Sequence, residues 1–167
     1  MTAPLPPPTA DPLNLPISSE QIRCLDIGPL KPWQAMAPQD LPGWSGRLEL
    51  TFDWPRDAAD PRELSEIPEV RLWSLRADAL LPWLPLLLER RGGGLTRHVA
   101  MLLPHGFHPS DGIRFAPDGL ELWITHRLFL LDGWAMAADL DCRRNLTQMA
   151  EALGFDLDHG FWDPLRR

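Results

Sequence analysis

Residues 60–89, DPRELSEIPEVRLWSLRADALLPWLPLLLE, hold the densest run of large apolar side chains in the chain. They also hold its tightest cluster of alternating charge: Asp60, Arg62, Glu63, Glu66, Glu69 and Arg71. A charged collar leading into an apolar segment predicts a helix entry followed by a buried helix. Ser65 is placed to cap that helix, Glu66 falls in the first turn, and Pro68 is tolerated there. Val70, Trp73, Ala77, Leu80, Leu81 and Leu84 share one face, and Trp73, Leu80, Leu81 and Leu84 are assigned to the core. Leu72 and Leu75 lie on another side, so the helix is expected to be covered on more than one face. Pro82 and Pro85 break it into a second short piece ending at Arg90 and Arg91. Capping accounts for Ser65 and one or two acids. It does not account for Arg62 and Arg71, which either pair with those acids or contact a partner.

The remainder fits around this segment. Residues 1–17 carry Pro4, Pro6, Pro7, Pro8, Pro12 and Pro16, which predicts an extended, solvated tail, with the globular domain over residues 18–167. A strand is expected near residues 22–27 and a Trp-rich loop over residues 30–46. Residues 47–54 alternate cleanly: Leu48, Leu50, Phe52 and Trp54 point one way, and Arg47, Glu49, Thr51 and Asp53 the other. One polar face is the pattern of an antiparallel sheet open to water on one side. Gly92, Gly93 and Gly94 read as a flexible connector; they lack the spacing and lysine of a phosphate loop. Residues 95–103 fit a helix or a strand, and residues 112–115 a short strand. Residues 120–138 and 142–153 read as helices, the second ended by Gly154. The expected fold is a helix-dominated α+β single domain, three to four helices packed on a small antiparallel sheet.

Composition narrows the function. With 167 residues and 44% hydrophobic content, the chain can fill one core without a metal or disulfide staple; a domain near this size buries roughly 70% of the surface its unfolded chain exposes. A formal net charge of -7 opposes nucleic acid and anionic membranes as main partners. The apolar run 79–88 is too short to span a bilayer. Cys24 and Cys142, far apart, are expected to be reduced and buried in a cytosolic protein. Neither a secretory signal nor an Arg- and Ser-rich transit segment is seen, which predicts a cytoplasmic location.

Chemistry-bearing motifs are sparse. His98, His105 and His108 have spacings that could gather three imidazoles, with Glu63, Glu66 and Glu69 as candidate acid/base carboxylates; together they would make a small metal-dependent enzyme. No acidic or cysteine ligand stands at a conventional distance from them, so a metal site is not expected. His126, mid-helix among apolar residues, reads as a core or rim histidine. Neither a G-x-S-x-G elbow nor a cysteine with a nearby histidine in sequence is present.

Residues 60–73 (DPRELSEIPEVRLW) resemble a long signature of the chlororespiratory reduction type six proteins of cyanobacteria and chloroplasts. Pro82-Trp83-Leu84-Pro85, residues 101–107 (MLLPHGF), Gly112-Ile113 and the helix over 120–131 support the likeness, which runs from about residue 50 to 161. The resemblance implies an assembly factor for the photosynthetic NAD(P)H dehydrogenase-like complex, acting on its ferredoxin-like iron–sulfur subunit I and its incorporation into the hydrophilic arm. Chloroplast relatives are stromal; this chain would be a cyanobacterial, cytoplasmic member. No catalytic residue, cofactor or small-molecule ligand is carried over. The candidate partner-binding residues are Asp60, Arg62, Glu63, Glu66, Glu69, Arg71 and His105. Eight Trp and several Arg supply residue types common at protein interfaces.

Overall fold

The computed structural model describes residues 5–8 and 11–165. It is a helix-rich α+β domain. The first element among the described residues is β1 (Leu13–Ile17), in a stretch whose prolines predict a solvated tail. A helix, α1 (Ser19–Arg23), then stands where a strand is expected. The reason is local: Ser18 and Gln21 form a reciprocal capping box, each side chain bonding the other's backbone N–H. A 3-10 turn (Gly28–Leu30), α2 (Lys31–Gln34) and a second 3-10 turn (Pro38–Trp44) follow. The Trp-rich loop is thus a wound, packed segment. Trp33 and Trp44 are buried within it and meet edge to face at 5.5 Å.

The strand read from alternation is β2 (Leu48–Phe52). It pairs with β1 in parallel, Leu13 opposite Leu48 and Ile17 opposite Phe52, rather than antiparallel. Alternation reports which side chains are buried; it carries no information about the partner's direction. Phase explains how a proline-rich segment can serve as the partner. Leu13 N–H donates to Arg47 O at 2.7 Å, and Asp53 N–H to Ile17 O at 2.9 Å. Leu13, Leu15 and Ile17 therefore turn their backbone groups toward β2. Pro12 and Pro16 fall on the outer edge, where no ladder bond requires an N–H.

A 3-10 turn (Leu64–Glu66) leads into α3 (Pro68–Leu80). The helix begins three residues after Ser65, the expected cap. Pro82 ends it, and α4 (Leu84–Leu87) is a separate buried turn. Val70, Trp73 and Ala77 are buried as expected, but Leu80 is half exposed, and Leu72 and Leu75 also face outward. One face of α3 is covered, not several. The three glycines do not form a loose connector. Gly93 takes φ 80°, and a Cβ on Gly94 would stand 2.9 Å from Glu89 O. The buried Glu89 carboxylate accepts the N–H groups of Arg91 and Gly92, winding the turn tightly around itself. Next come α5 (Gly94–Leu102), the antiparallel hairpin β3 (His105–His108) and β4 (Gly112–Phe115), and α6 (Pro117–Ala137). The chain closes with α7 (Arg143–Ala152) and a 3-10 turn (Asp163–Leu165). Gly154, at φ 89°, allows the chain to leave α7. Arg143 joins Asp132 at 2.9 Å and lies over the Trp162 ring, pinning the C-terminal segment to α6 and α7.

Trp73 is the centre of the core. It is fully buried, meets Phe52 edge to face at 5.5 Å, and donates its indole N–H to Asp26 O at 2.7 Å. It thereby locks α3 to β2 and to the loop after α1. Cys142 is buried, and burial pushes its thiol pKa up. Cys24, expected inside, is exposed, and so is His126. Among the described residues no helix is long and apolar enough to cross a membrane. Trp73→Ala is expected to cost about 3–5 kcal/mol of stability, from lost burial and the cavity left behind. A midpoint from denaturant unfolding, followed by far-UV circular dichroism, checks it.

Candidate interaction site

The charged collar is largely consumed by its own backbone. Arg62 grips Asp60 with Nη2 at 2.8 Å and Nε at 3.1 Å, and its N–H donates to the same carboxylate. This bonding holds the Asp60 carboxyl down at about 2; the Arg62 side chain is the main cause, followed by the Arg62 backbone N–H. Glu63 and Glu66 form a second reciprocal box. The Glu66 carboxylate accepts Glu63 N–H at 2.6 Å, and that of Glu63 accepts the backbone of Glu66. Two of the three acids thus cap the turn that the sequence assigns to Ser65. Glu69 is exposed and Arg71 half-buried; neither side chain makes a hydrogen bond or ion pair among the described residues.

Ser65 has another role. Its Oγ lies 2.9 Å from His105 Nε2, while His105 Nδ1 lies 3.0 Å from Leu103 O. A carbonyl can only accept, so in the neutral ring Nδ1 carries the proton and the Ser65 hydroxyl donates to Nε2. His105 therefore ties β3 to the turn before α3. The three histidines are not gathered. His98 is buried against Asp78, His105 holds Ser65, and His108 is exposed with Nδ1 beside Ser110. Among the described residues no three His, Cys, Asp or Glu side chains are grouped to hold a metal ion.

A buried polar cluster is centred on Asp78. One carboxylate oxygen meets His98 Nε2 at 3.0 Å and the other is gripped by Arg127 Nη2. Arg127 also donates to Pro82 O at 2.8 Å and lies 5.3 Å from the Trp123 ring centroid. All three residues are less than a tenth exposed. They join α3, α5 and α6 at one point. Helical spacing puts Arg127 with Leu120, Trp123, Ile124, Leu128 and Leu131 on the apolar face of α6, whereas nothing next to Asp78 in the chain marks it. The available signal was symmetrical: Asp78 lies four residues after Ser74 and eight after Val70, on the buried face of α3. Opposite charges on two apolar helix faces point to a buried pair.

Beside this cluster opens a groove of about 360 Å³, between β2, the turn before α3, and α5. Its apolar wall includes Leu50, Phe52, Leu64, Met101 and Ile113. Its volume falls in the range of about 300–1,000 Å³ usual for binding pockets.

These features define a class: a compact helix-rich α+β domain, with a rigid charged core and a groove along a sheet edge. A model of the chlororespiratory reduction 6 family matches residues 17–164, and the chain belongs to that family. Membership implies a role in assembly of the chlororespiratory NAD(P)H dehydrogenase complex, and hence a protein partner within it. No solved structure matches the chain.

Two outcomes follow from the polar geometry. Asp78→Ala is expected to cost about 3–5 kcal/mol, because Arg127 is left buried and unpaired; chemical unfolding measures it. Asp60 acts through pH. Its pKa is lowered from 3.8 to about 2, so its stabilisation is present above its ordinary pKa and is lost as pH falls through about 2. Asp60→Asn should flatten the melting temperature against pH between those values, relative to the parent chain.

Proposed function

We propose that this chain is a soluble, cytoplasmic, non-catalytic assembly factor that binds the ferredoxin-like iron–sulfur subunit I of the NAD(P)H dehydrogenase-like complex. It covers an exposed surface of that subunit until the subunit enters the hydrophilic arm. The observation that carries this is the family match over residues 17–164. The surface is compatible with it. Leu72, Leu75 and Leu80 on α3, and Leu122, Phe129 and Met136 on α6, are exposed large apolar side chains. Such side chains supply contact area to a partner.

The collar divides under this reading. Asp60, Glu63 and Glu66 hold local backbone, and His105 holds Ser65, so they present the surface more than they contact the client. Arg62, Glu69 and Arg71 are the residues assigned to contact. Arg62 reaches outward past its bond to Asp60, with 53% of its side chain exposed.

Tagged chain is expected to co-purify with newly made subunit I and not with the finished complex. Recovery of the finished complex alone, or of no subunit I, overturns the proposal. Arg62→Ala combined with Arg71→Ala should lower the level of assembled complex severalfold while the melting temperature stays within a few degrees. A fall in melting temperature that accounts for the loss of assembly would return both arginines to a structural role.

A further inference from the structure

Two parallel strands alone make an incomplete sheet, because parallel strands ordinarily sit in larger, covered sheets. The two outer edges of this pair differ in kind. On β1 the outer positions are Pro12, Asn14 and Pro16, two of which lack an N–H. Proline at an edge prevents another strand from pairing there. On β2 the outer positions are Leu48, Leu50 and Phe52, and none is blocked. The chain itself occupies the first of these: Leu88 bridges Leu48 in parallel, and Glu89 N–H donates to Leu48 O at 2.7 Å. The Glu89 turn then carries the chain away. The backbone N–H and C=O groups of Leu50 and Phe52 have no hydrogen-bond partner among the described residues.

The groove described above runs along these two residues. A strand laid against them would place alternate side chains on the Leu50 and Phe52 side, toward Leu64, Met101 and Ile113. Its intervening side chain would lie on the opposite face, across from Thr51 and diagonal to Glu49. That carboxylate makes no hydrogen bond or ion pair among the described residues. We propose that the open edge of β2 takes up an extended segment of the client polypeptide as a third strand. That segment is apolar at alternate positions, with a long basic residue between them that reaches Glu49 on the diagonal. Backbone pairing supplies affinity, the groove selects the apolar side chains, and Glu49 fixes the register. The identity of the client rests on the preceding proposal; the geometry specifies the extended backbone and its pattern.

Amide hydrogen exchange on the full chain, alone and with purified subunit I, tests this. In the free chain Leu50 and Phe52 should exchange faster than Thr51 and Asp53, whose amides face β1. With subunit I bound, exchange at Leu50 and Phe52 should slow roughly tenfold or more. Glu49→Lys should weaken binding about tenfold or more, through like charge beside the basic residue. Leu50→Pro removes an edge-facing N–H together with an apolar side chain of the groove, so it should abolish binding; if it fails to fold, exchange in the parent chain still decides. Subunit I bound without slowing at Leu50 and Phe52 overturns strand addition and leaves the client assignment intact. Absence of binding by the parent chain overturns both.

Discussion

Everything in this fold depends on the Asp78 carboxylate being satisfied. An isolated buried charge costs several kcal/mol of desolvation, more than a domain of this size can readily spare. Asp78 escapes that cost by meeting His98 from α5 and Arg127 from α6 at once. The three helices can then pack in one relative arrangement only, since any slip leaves a charge unpaired in an apolar surround. Pro82 is part of the same device. It breaks the helix after α3 and leaves a carbonyl free to accept from Arg127. The break in the apolar segment and the charge on α6 are two halves of one solution.

The open groove sits on this rigid base. His98 lines it while bonded to Asp78, and Phe52 lines it while packed edge to face on Trp73. A binding edge is useful only if it does not collapse when empty. Here the floor is held by the buried ion cluster on one side and by the fully buried Trp73 on the other. The hairpin of β3 and β4, anchored by His105 on Ser65, contributes Ile113 to the same wall. Residues far apart in the chain thus converge on one groove.

How much of this was legible in the sequence follows from which signals are local. The helix content, the second strand of the hairpin, the two C-terminal helices and the core role of Trp73 follow from periodicity, and the structure bears them out. The family likeness read from residues 60–73 is matched over nearly the whole chain. What escaped was either long-range or competitive. The parallel pairing of β1 could not be seen, because proline content speaks for an unpaired segment unless the strand's phase is known. The cap at Glu63 outcompeted Ser65 because Ser65 was already engaged by His105, forty residues later. Leu80 looked like core by spacing, but Pro82 ended the helix before a neighbour could cover it. The buried Asp78 required two helix faces to be read together.

The placement of Pro12 and Pro16 has a consequence for colloidal behaviour. Along this strand pair, the β1 edge lacks two of the N–H groups that a further strand would need, whereas the β2 edge keeps those of Leu50 and Phe52. A sheet with a single receptive edge can add one strand and then presents whatever edge the newcomer brings. It cannot propagate in both directions, as a pair with two open edges would. β1 is therefore more than a filler of the core. If the β2 edge takes up a strand as proposed, β1 acts as a terminator that keeps the protein from stacking on copies of itself.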